Sequence, residues 1–277
     1  MWLCRKGEEM ARSDQKSIAE RRRNILLDVC MNREVSIASL ARKYNTSQMT
    51  IWRDLEDLSR NHYIQKTQTG KVKKQKMLSL DPNIYSRSED HHAEKVAIAL
   101  KAIDLIHNND IIGIDNSTTA MELARLFFTK ESITVVSNNM LLMPILYGHT
   151  KLKFISAGGA LKFPGYSTEG DIAINTIHQF NYDKVFFSCN AVDAKFGLSN
   201  TDEFETGTKQ AFLRNALQKI LLCDHSKLGK KAVYRFCELK NVDMLITDSE
   251  ADEKQIRAIE QNGVRVIVAD EIRNETV

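Results

Sequence analysis

The sequence predicts an α/β protein of two domains, a small basic head followed by a larger acidic body. Helical periodicity fills the head, whereas short apolar runs alternate with helical segments in the body. Charge divides at the same place. Residues 1–80 hold 17 lysines and arginines against 9 aspartates and glutamates, and the remainder holds 22 against 27. We therefore expect domains at residues 15–78 and 93–277, joined by a linker at 79–92.

The composition excludes several classes of protein. With 43% hydrophobic and 27% charged residues, the chain is expected to be globular, and no apolar run reaches the length of a membrane-spanning helix. The five cysteines are scattered without a CxxC pair, which predicts reduced cytosolic thiols, and the seven histidines form no HExxH pattern. We therefore expect no metal site and no cofactor. The N-terminus lacks the apolar segment of a secretory signal, so a cytoplasmic protein is expected, with Met10 as an alternative start.

Three segments of the basic head have helical periodicity. In residues 17–30 and 36–44 the apolar side chains recur on one face, and Ser36 is placed to cap the second helix. In the third segment Ile51 and Leu55 recur one turn apart, which leaves a polar face outward. A tight turn between the second and third segments predicts a helix-turn-helix, a motif whose third helix enters the major groove of DNA.

The outward face of the third helix carries side chains suited to DNA. A glutamine there can pair with adenine through two hydrogen bonds, and an arginine one turn later can reach a phosphate. Two extended runs follow around a predicted hairpin turn at 69–70, and their lysines add an attraction for phosphate that weakens with salt. The alternative is a solvated, lysine-rich surface. The predicted DNA-binding residues are Ser36, Ser47, Gln48, Thr50, Trp52, Arg53, Lys66, Lys71 and Lys73.

The alternating apolar runs of the body predict a mainly parallel sheet covered by helices on both faces. Ligands bind such sheets outside the carboxyl ends of the strands, so the residues after each run are informative. Small hydroxyl residues and glycines there suit an anion, and lysines offset its charge. This pattern indicates a cavity for a small phosphorylated molecule, although each residue alone also suits a helix cap or a surface charge. The predicted effector-binding residues are Asp115, Asn116, Ser117, Thr118, Thr119, Asn138, Gly158, Gly159, Asp193, Lys209 and Lys227.

The stretch VSIASLARKYNTSQMTIWRDL resembles the N-terminal winged helix of the DeoR family of bacterial transcriptional regulators, whose members read close to VSxxTIRRDL. The matching residues are Thr50, Ile51, Arg53, Asp54 and Leu55. Trp52 replaces the first arginine of the pair, and Asn61 replaces the glycine that precedes the wing. The resemblance implies a recognition helix here, with operator preference altered through Trp52.

The body is similar to the sensor domain of the same family, through DNSTTAMELARLF, SAGGALK and LLCDHSKLGKKA. That domain resembles ribose-5-phosphate isomerase in fold, and family members typically sense sugar phosphates. Residues 115–119 correspond to the family's DSGTT, with Ser117 at the glycine, and residues 224–227 correspond to its DSSK. The resemblance covers nearly the whole chain, from about residue 17 to beyond residue 248.

The resemblance implies a repressor of sugar-metabolism genes, which a phosphorylated sugar releases from double-stranded operator DNA. Such a protein is expected to be a homodimer or homotetramer without enzymatic activity. One alternative is a sugar-phosphate isomerase, in which Asp193, Glu203, Glu205 and Lys209 would supply the base and the charge stabiliser. A second alternative is a nucleic-acid-binding structural protein without a ligand. Turnover of a sugar phosphate would favour the first, and the lack of any response to sugar phosphates would favour the second.

Overall fold

The computed structural model describes residues 34–60, 64–67, 71–74, 82–163 and 165–271, together with single positions and short runs between 18 and 32. Contacts divide the chain between Ser79 and Leu80 into two compact units. The predicted hairpin turn at 69–70, Asn61 and the alternative start at Met10 lie outside the described residues.

The first unit combines helices with a small sheet. Its described positions between 18 and 29 are helical, and they precede helices α1 (Ile37–Lys43) and α2 (Gln48–Arg60). Three short antiparallel strands pair in the order β1-β3-β2; they are β1 (Val35–Ser36), β2 (Ile64–Lys66) and β3 (Lys71–Lys74). This arrangement confirms the predicted winged helix-turn-helix.

Local chemistry explains where the helices of this unit begin and how they turn. The Ser36 hydroxyl accepts a hydrogen bond from the Ser39 N–H and caps α1. The turn before α2 places Asn45 at φ 47°, a left-handed conformation that asparagine tolerates. Ile51 and Leu55 are fully buried, as their one-turn spacing predicts. The apolar stripe therefore faces the core and leaves the opposite side of α2 exposed.

The second unit is an α/β domain. Its helices are α3 (Pro82–Glu89), α4 (His92–Ile103), α5 (Thr118–Ala124), α6 (Leu142–Leu146), α7 (Asp171–His178), α8 (Glu203–Arg214) and α9 (Glu253–Glu260). Its main strands are β4 (Ile111–Ile114), β5 (Ile133–Ser137), β6 (Leu152–Ser156), β9 (Tyr182–Phe187), β12 (Ala216–Leu222), β14 (Met244–Asp248) and β15 (Arg265–Ala269). The segment expected to link the domains, 79–92, contains α3.

The seven main strands form one parallel sheet in the order β15-β14-β12-β9-β4-β5-β6. The chain enters this sheet at β4, proceeds to β5 and β6 on one side, and returns to β9 on the other side. β4 and β9 therefore flank the point where the strand order reverses, which is where open α/β sheets bind ligands. The predicted α/β domain with a large parallel sheet is confirmed.

The second unit also contains two small antiparallel sheets. Strands β7 (Ala160–Lys162) and β8 (Ser167–Glu169) form a hairpin. Strands β10 (Ala191–Asp193), β11 (Gly197–Asn200) and β13 (Tyr234–Cys237) form the second sheet.

Part of the core of the second unit lies between the main sheet and α8. Phe212 of α8 is fully buried against Tyr182, with ring centroids 5.6 Å apart. A Cβ added at Gly113 of β4 would lie 2.8 Å from both Phe212 and Val185. The glycine therefore admits the aromatic ring against the strand and sets the distance between α8 and the sheet.

Candidate functional site

The exposed face of α2 is formed by Gln48, Met49, Trp52 and Arg53. The sequence prediction included Gln48, Trp52 and Arg53, and the structure places them together. Met49 was missed, although it is 60% exposed and directly precedes a predicted residue. A polar amide, a guanidinium and two large apolar surfaces thus share one side of the helix.

Two of the predicted serines cap helices. Ser36 caps α1, and its hydroxyl donates to the Ser39 Oγ at 3.0 Å. The Ser47 hydroxyl accepts from the Thr50 N–H at 3.1 Å and lies 2.9 Å from the Thr50 hydroxyl. These contacts fix the start of each helix. In this structure the hydroxyl groups of Ser47 and Thr50 are hydrogen-bonded to each other.

Trp52 has a partner in the wing. The Lys66 Nζ lies 4.7 Å from the centroid of the Trp52 ring, within the range of a cation–π interaction, and it also forms an ion pair with Glu56. The other wing lysines differ in exposure. Lys71 is exposed and its ammonium lies 3.2 Å from Glu34, whereas Lys73 is half-buried. Lys66 therefore places one positive charge of the wing beside α2.

Asp54 holds the first unit together. Its carboxylate is 2% exposed and accepts hydrogen bonds from the Arg21 Nε at 2.6 Å and the Arg22 Nε at 2.8 Å. The sequence marked Asp54 only as a match to a family motif. The charge of Asp54 is therefore neutralised inside the first unit, where the carboxylate links α2 to the helical positions of Arg21 and Arg22.

A cavity of about 560 Å³ opens at the carboxyl ends of β4, β9 and β12 in the second unit. It therefore lies at the reversal of strand order. Its lining residues are Arg87, Asp90, His91, Lys95, Asn116, Ser117, Thr118, Ser188, Cys189, Asn190, Asn200, Glu205, Lys209, Asp224, Ser226 and Lys227.

One ion pair forms beneath this cavity. The Lys209 ammonium of α8 contacts the Asp115 carboxylate, and their side chains are 4% and 1% exposed. Asp115 also accepts from the Ser117 N–H at 3.0 Å and from the Ser188 N–H at 2.9 Å. The carboxylate thus fixes the backbone after β4 and after β9, and it positions the ammonium group at the cavity.

A second pair lies at the end of β12. The Lys227 Nζ is 3.2 Å from an Asp224 oxygen and donates to the Ser188 hydroxyl at 3.4 Å. Burial disfavours the charged amine, but Cys223 and Asp224 outweigh it, so the pKa of Lys227 is raised. Burial likewise opposes the charge on Asp224, yet Lys227 and the Ser226 hydroxyl hold the pKa of that carboxyl below its usual value. Both groups therefore stay charged at neutral pH.

Lys95 is a third lysine of the cavity and was not predicted. It is 4% exposed, and its Nζ donates to the backbone carbonyls of Arg87 and Asp90. Burial is the larger cause and the positive charge of Lys227 the next, and together they lower the pKa of Lys95 to about 8. The signal that could have revealed it is a lysine directly before the buried apolar run of residues 96–99 in α4, because a buried charge beside such a run must find polar partners.

Amide and carboxyl groups complete the lining. The Asn116 Nδ2 lies 3.4 Å from a Glu205 oxygen. The Asn200 Oδ1 accepts from the Asn190 N–H at 3.2 Å, whereas its Nδ2 has no partner among the residues that the structure describes. A buried donor without a partner indicates that a ligand or water completes the site.

The structure brings together five of the predicted effector residues: Asn116, Ser117, Thr118, Lys209 and Lys227 line the cavity, and Asp115 lies directly beneath. Thr119 is fully buried and does not line it. The other four lie in turns and hairpins away from the cavity lining.

The contacts of these four residues explain their positions. The Asn138 Nδ2 donates to the Thr168 carbonyl at 3.1 Å and holds β8. Gly159, which follows Gly158, has φ 132°, and a Cβ added there would lie 2.6 Å from the Glu169 carbonyl, so both the backbone conformation and the available space require glycine. Asp193 accepts from the N–H groups of Lys195 and Phe196 and closes the β10–β11 turn.

Two absences concern the part of the chain that the structure describes. No group of three or more histidine, cysteine, aspartate or glutamate side chains there is placed to hold a metal ion. The described helices include none that is long and apolar enough to cross a membrane.

Two family models match the chain. Residues 21–76 match the DeoR-like helix-turn-helix domain, and residues 90–249 match the DeoR C terminal sensor domain. The chain belongs to the DeoR family. It is therefore a DNA-binding transcriptional regulator, as the sequence predicted. The cavity lies in the part of this DeoR-family protein that matches the sensor domain.

Relatives of this DeoR-family chain are regulators. The uncharacterized HTH-type transcriptional regulator YulB of Bacillus subtilis is 30% identical over 90% of this chain and 96% of its own. The lactose phosphotransferase system repressor of Staphylococcus epidermidis is 31% identical over 76% of this chain and 84% of its own. The HTH-type transcriptional regulator GolR of Listeria innocua is 26% identical over 91% and 98%.

Among solved structures, ribose 5 phosphate isomerase A from Neisseria gonorrhoeae is similar at 14% identity and a TM-score of 0.35. That likeness covers 51% of this chain and 53% of the isomerase.

Proposed function

We propose that this DeoR-family protein is a repressor of sugar-metabolism genes that leaves its operator when a phosphorylated sugar binds the cavity. The observation that carries this proposal is the concentration of cations at the reversal of strand order. Lys95, Lys209 and Lys227 all line one cavity of about 560 Å³, a volume within the range of small-molecule sites.

The remaining lining groups favour a sugar over a bare anion. Asn190, Asn200 and Glu205 offer donors and acceptors for hydroxyl groups, and the Asn200 Nδ2, which has no partner in the described part of the chain, is one such donor. We assign the phosphate to Ser117, Thr118, Lys95 and Lys227. Asp115 has no direct role in this assignment; it orients Lys209 and the neighbouring backbone.

The proposed DNA interface is the exposed face of α2 with the lysines of the wing. Gln48 and Arg53 are assigned to base and phosphate contacts, and Lys66, Lys71 and Lys73 to phosphate attraction. Trp52 occupies a position where the family pattern carries arginine, and we assign an altered operator preference to it. A homodimer or homotetramer would present two such faces to successive major grooves.

The relatives support the repressor assignment. One is named a lactose phosphotransferase system repressor, and another, in Escherichia coli O157:H7, is named a putative aga operon transcriptional repressor. The protein is proposed to bind its sugar phosphate without converting it.

Binding tests the proposal. The full-length protein is screened by thermal shift against ribose 5-phosphate, fructose 1-phosphate, fructose 6-phosphate, glucose 6-phosphate and their unphosphorylated sugars. At least one phosphate should raise the melting temperature while its parent sugar does not. Lys227→Met should weaken binding of that compound by about 10- to 100-fold, because a hydrogen bond to a charged group is lost.

A matched control lies three residues away. Lys230 is exposed and does not line the cavity, so Lys230→Met should bind as the wild type does. The absence of a phosphate-dependent shift across the panel would refute the effector assignment. Conversion of the bound compound to an isomer would instead support the enzyme alternative.

A further inference from the structure

We propose that Lys95 is the residue through which a ligand in the cavity acts on α3, the first described helix after the wing in chain order. The inference rests on the proposed function and assigns the regulation of the same site. It concerns contacts within the second unit alone.

Lys95 closes the C-terminal end of α3. Arg87 lies in the last turn of that helix, where backbone carbonyls have no donor from the helix itself. The Lys95 Nζ reaches back from the first turn of α4 and donates to the Arg87 carbonyl and, at 2.5 Å, to the Asp90 carbonyl. A basic side chain at this position stabilises a helix end.

The groups that hold this helix end also line the cavity. The Thr118 hydroxyl donates to the same Arg87 carbonyl at 3.3 Å. Thr118, Lys95 and Arg87 are all cavity residues. A ligand that uses these donors therefore competes directly with the α3 carbonyls.

The electrostatic surroundings set the direction of this competition. Lys95 faces the positive charges of Lys227 and Arg87 and the negative charges of Asp224 and Asp90. Its present acceptors are neutral carbonyls, and a phosphate oxygen is a stronger acceptor for an ammonium group. A bound phosphate also favours the protonated amine, whose pKa is lowered to about 8 in the free protein. The ammonium group accordingly exchanges the carbonyls for the phosphate, and the end of α3 is released.

Hydrogen exchange of the full-length wild-type protein tests this step without any substitution. The probe is whichever sugar phosphate of the panel raises the melting temperature most. At saturation it should accelerate amide exchange in the peptide that covers residues 82–90 by about tenfold, while β4 and β9 become better protected. Unchanged or slower exchange in residues 82–90, with the ligand bound, would overturn the inference and leave the proposed function intact.

Lys95→Met, measured with the ligand at saturation, tests the role of this side chain directly. The variant should show fast exchange in residues 82–90 without ligand, and the ligand should not change it further. Lys101→Met is the control, because Lys101 lies on the same helix and pairs with Asp270 instead. It should respond as the wild type does, and a wild-type response in Lys95→Met would contradict the inference.

Proton uptake gives a second readout that needs no DNA. Calorimetric titrations at pH 8 in buffers of different ionisation enthalpy should show about half a proton taken up by the wild type on binding, and markedly less by Lys95→Met. Equal uptake in the two proteins would also overturn the inference. If no compound of the panel binds the wild type, the proposed function and this inference fail together.

Discussion

The Lys66 ammonium group on β2 lies 4.7 Å from the centroid of the Trp52 ring on α2, and it pairs at the same time with Glu56. Trp52 stands where the family pattern carries arginine, so a charged guanidinium group is replaced by an aromatic ring that contacts the ammonium group of a neighbouring lysine. The charge near this position is supplied by the wing lysine. The Trp52 position thus retains a cation through its neighbour.

A double-mutant cycle measures this contact. Trp52→Leu and Lys66→Met should each lower the free energy of unfolding, and their coupling should be about 0.5–1 kcal/mol, as for a partly exposed cation–π pair. Urea denaturation of the four proteins gives the coupling. Additive effects would show that the ring and the ammonium group do not stabilise each other. Lys73→Met combined with Trp52→Leu should be additive and serves as the control.

The buried carboxylate of Asp54 predicts a large effect from a small change. Asp54→Asn preserves the shape of the side chain but removes the charge that Arg21 and Arg22 share, so we expect a loss of about 3–5 kcal/mol from the first unit.

Asp57→Asn is the matched control on the same helix. Its carboxylate is 36% exposed, so the loss should stay below about 1 kcal/mol. Circular dichroism during urea denaturation compares the two variants. Similar losses for both would contradict a special role for Asp54.

The sequence predicted the parts of the site that strand geometry dictates. Residues after adjacent parallel strands meet at one sheet edge, and the cavity brings together Asn116, Ser117 and Lys227 for that reason. The periodicity of α2 likewise placed Ile51 inward and Arg53 outward.

The cavity residues that the sequence did not predict are brought there by long-range packing. Lys95 reaches the cavity from α4, and Arg87 reaches it from α3, which lies within the expected linker. No local sequence pattern predicts that these two helices pack beside the cavity. Asn138 and Asp193 also follow apolar runs, but the Asn138 Nδ2 donates to β8 and the Asp193 carboxylate accepts from the N–H groups of the β10–β11 turn. A polar residue after a strand is therefore available to a ligand only where no hairpin covers it.

The pair beneath the cavity predicts a stability effect in the second unit. Lys209→Met leaves Asp115 buried without its counter-charge, so the calorimetric transition of this unit should lose about 3–5 kcal/mol. Adding Asp115→Asn should restore part of that loss, because the unpaired charge is removed. Lys195→Met, at an exposed position, should have little effect. No recovery in the double variant would contradict the electrostatic explanation.

His149 predicts a pH dependence. Burial lowers its pKa to about 4 from an ordinary value of 6.5, so the unfolded chain binds more protons between these values. The contribution of neutral His149 is therefore present above pH 6.5 and is lost as the pH falls toward 4, by about 2–3 kcal/mol. His149→Gln should flatten that part of the stability profile, measured by urea denaturation from pH 4 to 7. A profile with the same slope as the wild type would contradict the assignment.

Release of DNA by a sugar phosphate tests the central claim most directly. Fluorescence anisotropy is recorded for a labelled fragment from upstream of the protein's own gene, bound to the full-length protein at fixed salt. The sugar phosphate that raises the melting temperature should lower DNA affinity at least tenfold for the wild type and for Lys230→Met. It should have much less effect on Lys227→Met at the same concentration. DNA affinity that stays unchanged while the sugar phosphate saturates the wild-type protein would contradict the account.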